Sequence, residues 1–340
     1  MKTILFVLTL HAFALAAFSQ NADSASWYFN KGIEEKNAGR LAVAEKNFNK
    51  SAELKPGYVQ AYIESGKAEL EMRKIYDAQK NFTKAYELAP SNPEVIKQMA
   101  ELYFNNRQFQ KAIEFAGKCN SCPDADRITG MSYYQTEDYG NAEAYLKKAI
   151  AKNNKDAEAA YTLGRTYLEL ENEKSAIPQF ENAISIDPTR NVWMYELGLI
   201  YYSQENYKSA LKYFNMATDA GYNKTNDFNE NFGFAQIYTG DAENGVKTLT
   251  DVLKRKPNNT ELLNNIANAM YETKRYDDAL AYFSKLLELN PKDASSLFMA
   301  GMTFQKKGEK EKGQKICDKA IEMDPSLARN RQKKDMPMGL

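Results

Sequence analysis

The sequence predicts an all-α fold, a solenoid of about nine stacked helical hairpins, and three observations predict it. The composition is helical: Ala, Lys, Glu, Asn, Tyr and Leu dominate 340 residues that include only 17 Gly and 10 Pro, and β-branched runs are nearly absent. A period is present: Pro56, Pro90, Pro188, Pro257, Pro291 and Pro325 form one column, and three of its intervals are 34 residues. Small residues keep step with that column. Gly32, Gly66, Gly164, Gly233, Ala267 and Gly301 stand 24 residues before it, and Ala44, Ala78, Ala176, Gly245, Ala279 and Gly313 stand 12 before it.

Each element follows from these columns. The earlier small residue marks a first helix and the later one a second helix, because amphipathic helices approach closely only where side chains shrink to Gly or Ala. Phe48, Phe82, Phe180, Phe214 and Phe283 follow the second small residue by four and fill the space beside the crossing. The proline then stops the second helix, since it lacks an N–H and disfavours helical geometry in the residue before it. Repeats that lack the proline keep the small pair, as Ala100 with Ala112, Gly130 with Ala142 and Gly198 with Ala210. The repeats are placed at 25–58, 59–92, 93–122, 123–156, 157–190, 191–225, 226–259, 260–293 and 294–327; only the third, four residues short, and the sixth, one residue long, break the period. No hairpin buries its apolar face alone, so neighbours must stack. No linker or second domain is expected.

The stretches "YTLGRTYLEL" at 161–170, "MYELGLIYYSQENYKSALKYFNMA" at 194–217 and "YDDALAYFSKLLELNP" at 276–291 resemble the tetratricopeptide repeat family, whose pattern is W-x2-L-G-x2-Y, then A-x3-F, then a helix-ending Pro. The resemblance covers about 25–327, with Tyr28 and Tyr62 where Trp is usual. It implies a right-handed superhelical solenoid whose first helices line a concave groove, where extended peptides or helices of other proteins lie. The family's groove positions are the second, fifth, ninth and twelfth of each repeat, which share one side of a helix. Carried over, they include Phe29, Ile33, Lys67, Lys97, Glu101 and Arg127 early in the chain. The candidate protein-binding groove is Tyr134, Tyr161, Arg165, Tyr195, Tyr202, Phe234, Asn264, Asn268 and Tyr271. Aromatic rings offer large contact area at low entropy cost, and Asn and Arg can satisfy an extended backbone. For any one ring the alternative is packing against the next repeat. Tyr103, Tyr133, Tyr167 and Tyr201 fall on the family's buried column and read as core.

Residues 1–19 read as a secretory signal peptide, with Lys2, an apolar run from Ile4 to Phe18, and small Ala17 and Ser19 before the cut. The apolar run is shorter than the roughly 20 residues a membrane span needs, and no later segment is apolar enough, so no transmembrane segment is expected in the mature chain. Residues 328–340 read as a basic C-terminal tail. Removing the leader removes His11, the only histidine, and with it Ser-His-Asp, Cys-His and His-zinc chemistry. Basic and acidic residues balance at 45 each, so no bulk field recommends nucleic acid as a partner. No catalytic residue, metal or cofactor is expected.

Cys119 and Cys122 form a C-x-x-C pair. Zinc would need further ligands that the sequence lacks. Redox catalysis favours a thiol at a helix N-terminus, whereas Cys119 is expected at the C-terminal end of the third repeat's second helix. An oxidising compartment permits a Cys119–Cys122 disulfide, because helical i to i+3 spacing of about 5 Å suits its geometry; a reduced buried pair is the alternative. The expected function is a non-enzymatic protein-interaction scaffold of the cell envelope, in the periplasm, associated with the outer membrane or extracellular. The alternatives are a structural component of the envelope or cell wall, and a thiol-disulfide enzyme using Cys119 and Cys122.

Overall fold

The computed structural model describes residues 24–119 and 122–329, and among them every regular element is helical. The leader expected at 1–19, and most of the tail expected at 328–340, lie outside the described residues. The chain divides into two compact bodies, one ending at Ile186 and the other beginning at Asp187.

The first body contains α1 (24–37), α2 (Leu41–Leu54), α3 (Val59–Glu71), α4 (Ile75–Leu88), α5 (Pro93–Asn105), α6 (Phe109–Ala116), α7 (Ala125–Gln135), α8 (Tyr139–Lys152), α9 (Ala157–Glu169) and α10 (Glu173–Ile186). The second contains α11 (Asn191–Ser203), α12 (Tyr207–Asp219), α13 (Asn226–Tyr238), α14 (Ala242–Leu253), α15 (Thr260–Glu272), α16 (Tyr276–Leu289), α17 (Ala294–Lys307) and α18 (Lys310–Met323), then a short 3-10 turn (Pro325–Leu327). Odd-numbered helices are the first helices of hairpins and even-numbered ones the second. Within the first body α5 packs on α7 and α7 on α9; within the second α11 packs on α13 and α13 on α15.

The crossings are built as the small columns require. A Cβ on Gly66 would lie 2.7 Å from the ring of Phe82, and one on Gly164 2.8 Å from the ring of Phe180. In the second body a Cβ on Gly198 would lie 2.5 Å from Phe214. Phe48, Phe82, Phe180, Phe214 and Phe283 are fully buried. Two hairpins of the second body carry glycine on both sides of the crossing. There a Cβ on Gly245 would meet the carbonyl oxygen of Gly233 at 2.6 Å. Their neighbouring column holds Leu249 and Cys317 in place of Phe, and the free Cys317 is buried.

Each hairpin turn places one residue in the left-handed region: Gly39, Arg73, Arg107, Glu137, Glu171, Glu205, Gly240, Lys274 and Gly308. All fall at position 15 of their repeats. First helices often start on a side-chain cap. Asn92 accepts from the N–H of Glu94 at 2.9 Å, Asp156 from Ala159 at 3.0 Å and Asp293 from Ser296 at 3.0 Å.

The third hairpin departs from the rest. Its second helix, α6, has 8 residues where the other second helices of the first body, from α2 on, have 14. Ala116 occupies the column that elsewhere carries a ring, Leu or Cys, and Gly117 caps the helix directly after it. Cys119, expected at the end of this helix, therefore lies beyond it, in the link to α7. Its sulfur is bonded to that of Cys122, with the Cα atoms 5.4 Å apart, and both residues are buried beside Ile96.

Candidate binding face

The first helices of the first body present a ladder of charges that neutralise one another. Lys36 of α1 pairs with Glu64 of α3 at 2.7 Å, Glu64 with Lys67 at 2.9 Å, and Lys67 with Glu94 of α5 at 2.5 Å. Lys97 pairs with Asp124, and Arg127 of α7 lies 3.7 Å from Asp124 and 3.5 Å from Asp156. Burial alone would raise the Glu64 carboxyl, yet the hydrogen bonds from Lys36 and Lys67 hold it below its ordinary range. Asp124 is lowered by its hydrogen bond from Lys97, against burial.

At the end of this body the face turns aromatic. The Arg165 guanidinium sits over the Tyr134 ring, 5.6 Å from its centroid, and Tyr134 leans on Tyr139 at 5.9 Å. Tyr161 meets Phe180 edge-on at 5.5 Å. All three expected groove residues of this body are partly buried.

In the second body the rings dominate. Tyr195 stacks on Tyr222 at 4.5 Å and lies 5.5 Å from the buried Phe228, while Asn231 donates to its hydroxyl at 3.4 Å. Tyr202 meets Tyr207 edge-on at 5.3 Å, and Tyr207 stacks on Tyr238 at 4.5 Å. The Tyr238 hydroxyl donates to Glu272 at 2.9 Å. Burial, reinforced by Tyr207, pushes the Tyr202 phenol up to about 12. Asn264, Asn268 and Tyr271 are partly buried on α15, with Tyr271 6.0 Å from Tyr276.

One expected groove residue is corrected. Phe234 is 8% exposed and belongs to the core cluster that contains Leu262, Leu263 and Ile266 of α15. Burying a phenyl ring stabilises by roughly 2–3 kcal/mol, so a ring within reach of an apolar neighbour packs there instead of standing in solvent. Of the residues read as core, Tyr103 and Tyr167 are buried, and Tyr133 and Tyr201 stack partly buried on Tyr145 and Tyr213.

Two groupings of residues on the face went unread in the sequence. Aromatic pairs at repeat positions 12 and 17 bracket the hairpin turn, as Phe104 with Phe109, Tyr134 with Tyr139, Tyr202 with Tyr207 and Tyr271 with Tyr276. Their signal is a five-residue aromatic spacing that recurs with the period. The second feature is an acidic edge in the second body, formed by Asp227 and Glu230 of α13 and Glu261 of α15. Burial raises the Glu230 carboxyl, and Asp227 and Glu261 add to the rise. Among the described residues no cluster of His, Cys, Asp and Glu is arranged to hold a metal ion, and no helix is long and apolar enough to cross a membrane.

Comparison with known proteins bears on the fold. No curated protein matches the chain. Among solved structures, YrrB, described as a TPR protein with an unusual peptide-binding site, is 25% identical over 55% of this chain and 97% of its own, with a TM-score of 0.41. The C-terminal part of a TPR repeat-containing protein from Cytophaga hutchinsonii is 20% identical over 70% of this chain and 98% of its own, with a TM-score of 0.47. PilW, a type IV pilus biogenesis factor, is 14% identical over 70% of this chain and 96% of its own, with a TM-score of 0.44. Tetratricopeptide repeat family models match residues 129–191, 176–223, 237–300 and 294–327. Those matches together span more than half of the sequence, and the chain belongs to the tetratricopeptide repeat family.

Proposed function

We propose that this chain is a non-enzymatic protein-interaction scaffold of the cell envelope, which holds an extended segment of another protein along the first helices of its repeats. Repeat membership supports the scaffold. The observation that carries the binding face is the set of partly buried rings and amides on first helices: Tyr134, Tyr161 and Arg165 in one body, and Tyr195, Tyr202, Asn264, Asn268 and Tyr271 in the other. The rings and Arg165 are already held by neighbours, so a partner gains contact area at little further cost in entropy. Export rests on the leader read at 1–19, and the absence of histidine after His11 supports a role without catalysis.

The test is site-specific photo-crosslinking in envelope extract. A crosslinker at Arg165 or Asn264 should capture a protein that one at Lys174 or Lys212, on second helices, does not. Capture that is equal from both helix faces, or unchanged in a Tyr161→Ala/Tyr202→Ala variant with wild-type melting, would reject the groove. Export has its own readout. Denaturing alkylation of the exported protein should modify Cys317 alone, and three modified cysteines would contradict an oxidised Cys119–Cys122 pair.

A further inference from the structure

We infer that the Cys119–Cys122 disulfide is a redox-sensitive clasp: oxidised, it seats the start of α7 on α5 and keeps Asp124 between Lys97 and Arg127 on the first-helix face; reduced, it lets that seat open. Its bearing on a partner rests on the scaffold reading, whereas the seating of α7 does not.

The clasp stands where the hairpin lacks ordinary support. α4, α8 and α10 continue to repeat position 30, and at position 27 they bury Ala85, Ala149 and Ala183. α6 ends at position 24, so Cys119, which shares that column, arrives there without a helix. Single turns hold the backbone instead: the Cys119 N–H donates to the Ala116 carbonyl at 3.2 Å, that of Cys122 to Cys119 at 3.1 Å, and that of Ala125 to Cys122 at 3.2 Å. Bonds outside a continuous helical ladder open with little cooperative resistance. The start of α7 also lacks the side-chain cap that Asp138 gives α8 and Asp156 gives α9, although Asp124 stands at the capping position.

The disulfide supplies the missing tie. Cys119 and Cys122 are buried with Ile96 of α5, and Tyr86 of α4 and Ala125 of α7 pack against them. The Cys122 sulfur lies 3.4 Å from the carbonyl oxygen of Pro93, the first residue of α5. One covalent link thus touches the first turns of both α5 and α7. Two residues after Cys122, Asp124 pairs with Lys97, which follows Ile96 in sequence; Asp124 also lies 3.7 Å from Arg127, and Arg127 reaches Asp156 at 3.5 Å. Loosening the link therefore acts on the charge ladder from α5 through α7 to the residue that caps α9.

A dithiol reductant performs the opening step. Its thiolate attacks one sulfur of the pair and breaks the S–S bond, and its second thiol then displaces the mixed disulfide. Two electrons and two protons pass to Cys119 and Cys122, which become thiols, and the dithiol becomes a disulfide. The third cysteine of the sequence, Cys317, is buried in the second body with Phe298 and Leu327, so no other thiol of the first body competes for the pair.

The experiment is amide hydrogen exchange, read by mass spectrometry, on the full chain oxidised, reduced with dithiothreitol under native conditions, and reoxidised. Amides 125–131 of α7 should exchange about tenfold or more faster in the reduced protein, those of α11–α18 should not change, and reoxidation should restore the first rate. Asp124→Asn should speed exchange of the same amides several-fold in the oxidised protein and add little in the reduced one, where the pair with Lys97 is already loosened. In Cys119→Ala/Cys122→Ala, which carries the alanine of the other repeats at position 27, dithiothreitol should change nothing. Equal exchange in the two redox states, acceleration spread evenly over both bodies, a disulfide that dithiothreitol leaves intact, or an Asp124→Asn effect of the same size in both states each overturns the clasp. The scaffold reading stands or falls separately, on whether a crosslinker at Arg165 or Asn264 captures a protein from extract.

Discussion

The two bodies use one hairpin plan and finish it differently. In the first, the hairpins cross on Gly against Ala or Ala against Ala, and the first-helix face is largely a row of charges paired with one another. In the second, two crossings have glycine on both sides, and the first-helix face is rings edged by like-charged carboxylates. The difference separates what the period requires from what it leaves free. Close helix approach is required in both. The chemistry of the face is free.

The largest expected effect tests the crossings. Gly245→Ala sets a methyl against the Gly233 carbonyl, which belongs to a backbone that cannot move without parting the hairpin, whereas Gly66→Ala meets the Phe82 ring, a side chain and not backbone. Helix propensity favours Ala by about 1 kcal/mol at both sites. Net of that, Gly245→Ala should cost about 2–3 kcal/mol and Gly66→Ala no more than about 1 kcal/mol. Chemical denaturation of each variant measures both. Equal costs would show that the glycine pairs do not mark a tighter crossing.

Next in size is the charge ladder. Glu64 is 7% exposed and lies between Lys36 and Lys67. Glu64→Gln leaves two ammonium groups sharing a site without their carboxylate and should cost about 2 kcal/mol. Since the folded state holds this carboxyl below its ordinary range, the wild type has the benefit at neutral pH and loses it as pH falls through the folded value; the variant does not show that loss. Neutralising Asp227, Glu230 and Glu261 in the second body should have the opposite sign, stability unchanged or raised. If both changes destabilise alike, the two faces are electrostatically equivalent and the contrast fails.

A third prediction concerns one buried carboxylate of the first body. Repeat positions 11 and 23 hold ring pairs in Tyr133 with Tyr145 and Tyr201 with Tyr213, and a neutral polar pair in Gln236 with Thr248, but they hold Glu69 with Asn81 in the second repeat. Glu69 is 2% exposed, accepts from the Asn81 amide at 2.8 and 2.9 Å, and is pushed up to about 6 by burial, with Glu45 and Asp77 adding to the rise. A raised carboxyl favours the folded state below its unfolded value of about 4.5, and that benefit disappears as pH rises through about 6. Glu69→Gln should therefore stabilise by about 1–2 kcal/mol at pH 7.5 and by nothing at pH 4. A gain independent of pH would assign the effect to packing.

How much of this was legible in the sequence depends on what fixes each feature. Gly66, Gly198 and the prolines could be read because close approach and helix termination admit few residue types. Phe234 was misplaced because its repeat position assigns a helix face, and whether a ring on that face meets solvent or Leu262 depends on the next repeat. Lys67 was legible as a groove residue but its pairing with Glu94 was not, since 27 residues separate them and only the stacking of α3 on the following hairpin brings them together. The shortened α6 was legible as a missing interval; that it ends at Ala116 and leaves Cys119 in the link to α7 was not.

The smallest expected effect lies where residue identity carried least information. Six of the nine left-handed turn residues are Arg, Glu or Lys, so the conformation is imposed by the two helices each turn joins and not by the residue that adopts it. Asn enters this region more readily than Glu and adds little freedom to the unfolded chain, unlike Gly. Glu171→Asn in the first body and Glu205→Asn in the second should each stabilise by about 0.5 kcal/mol, and Gly240→Ala should cost about 1 kcal/mol. The two Asn variants test whether the bodies differ at the level of the hairpin itself. Their faces and crossings differ, but a turn set by hairpin geometry alone must respond equally in both. Unequal gains in thermal denaturation would mean that the chemistry of the face reaches back into the backbone of the repeat.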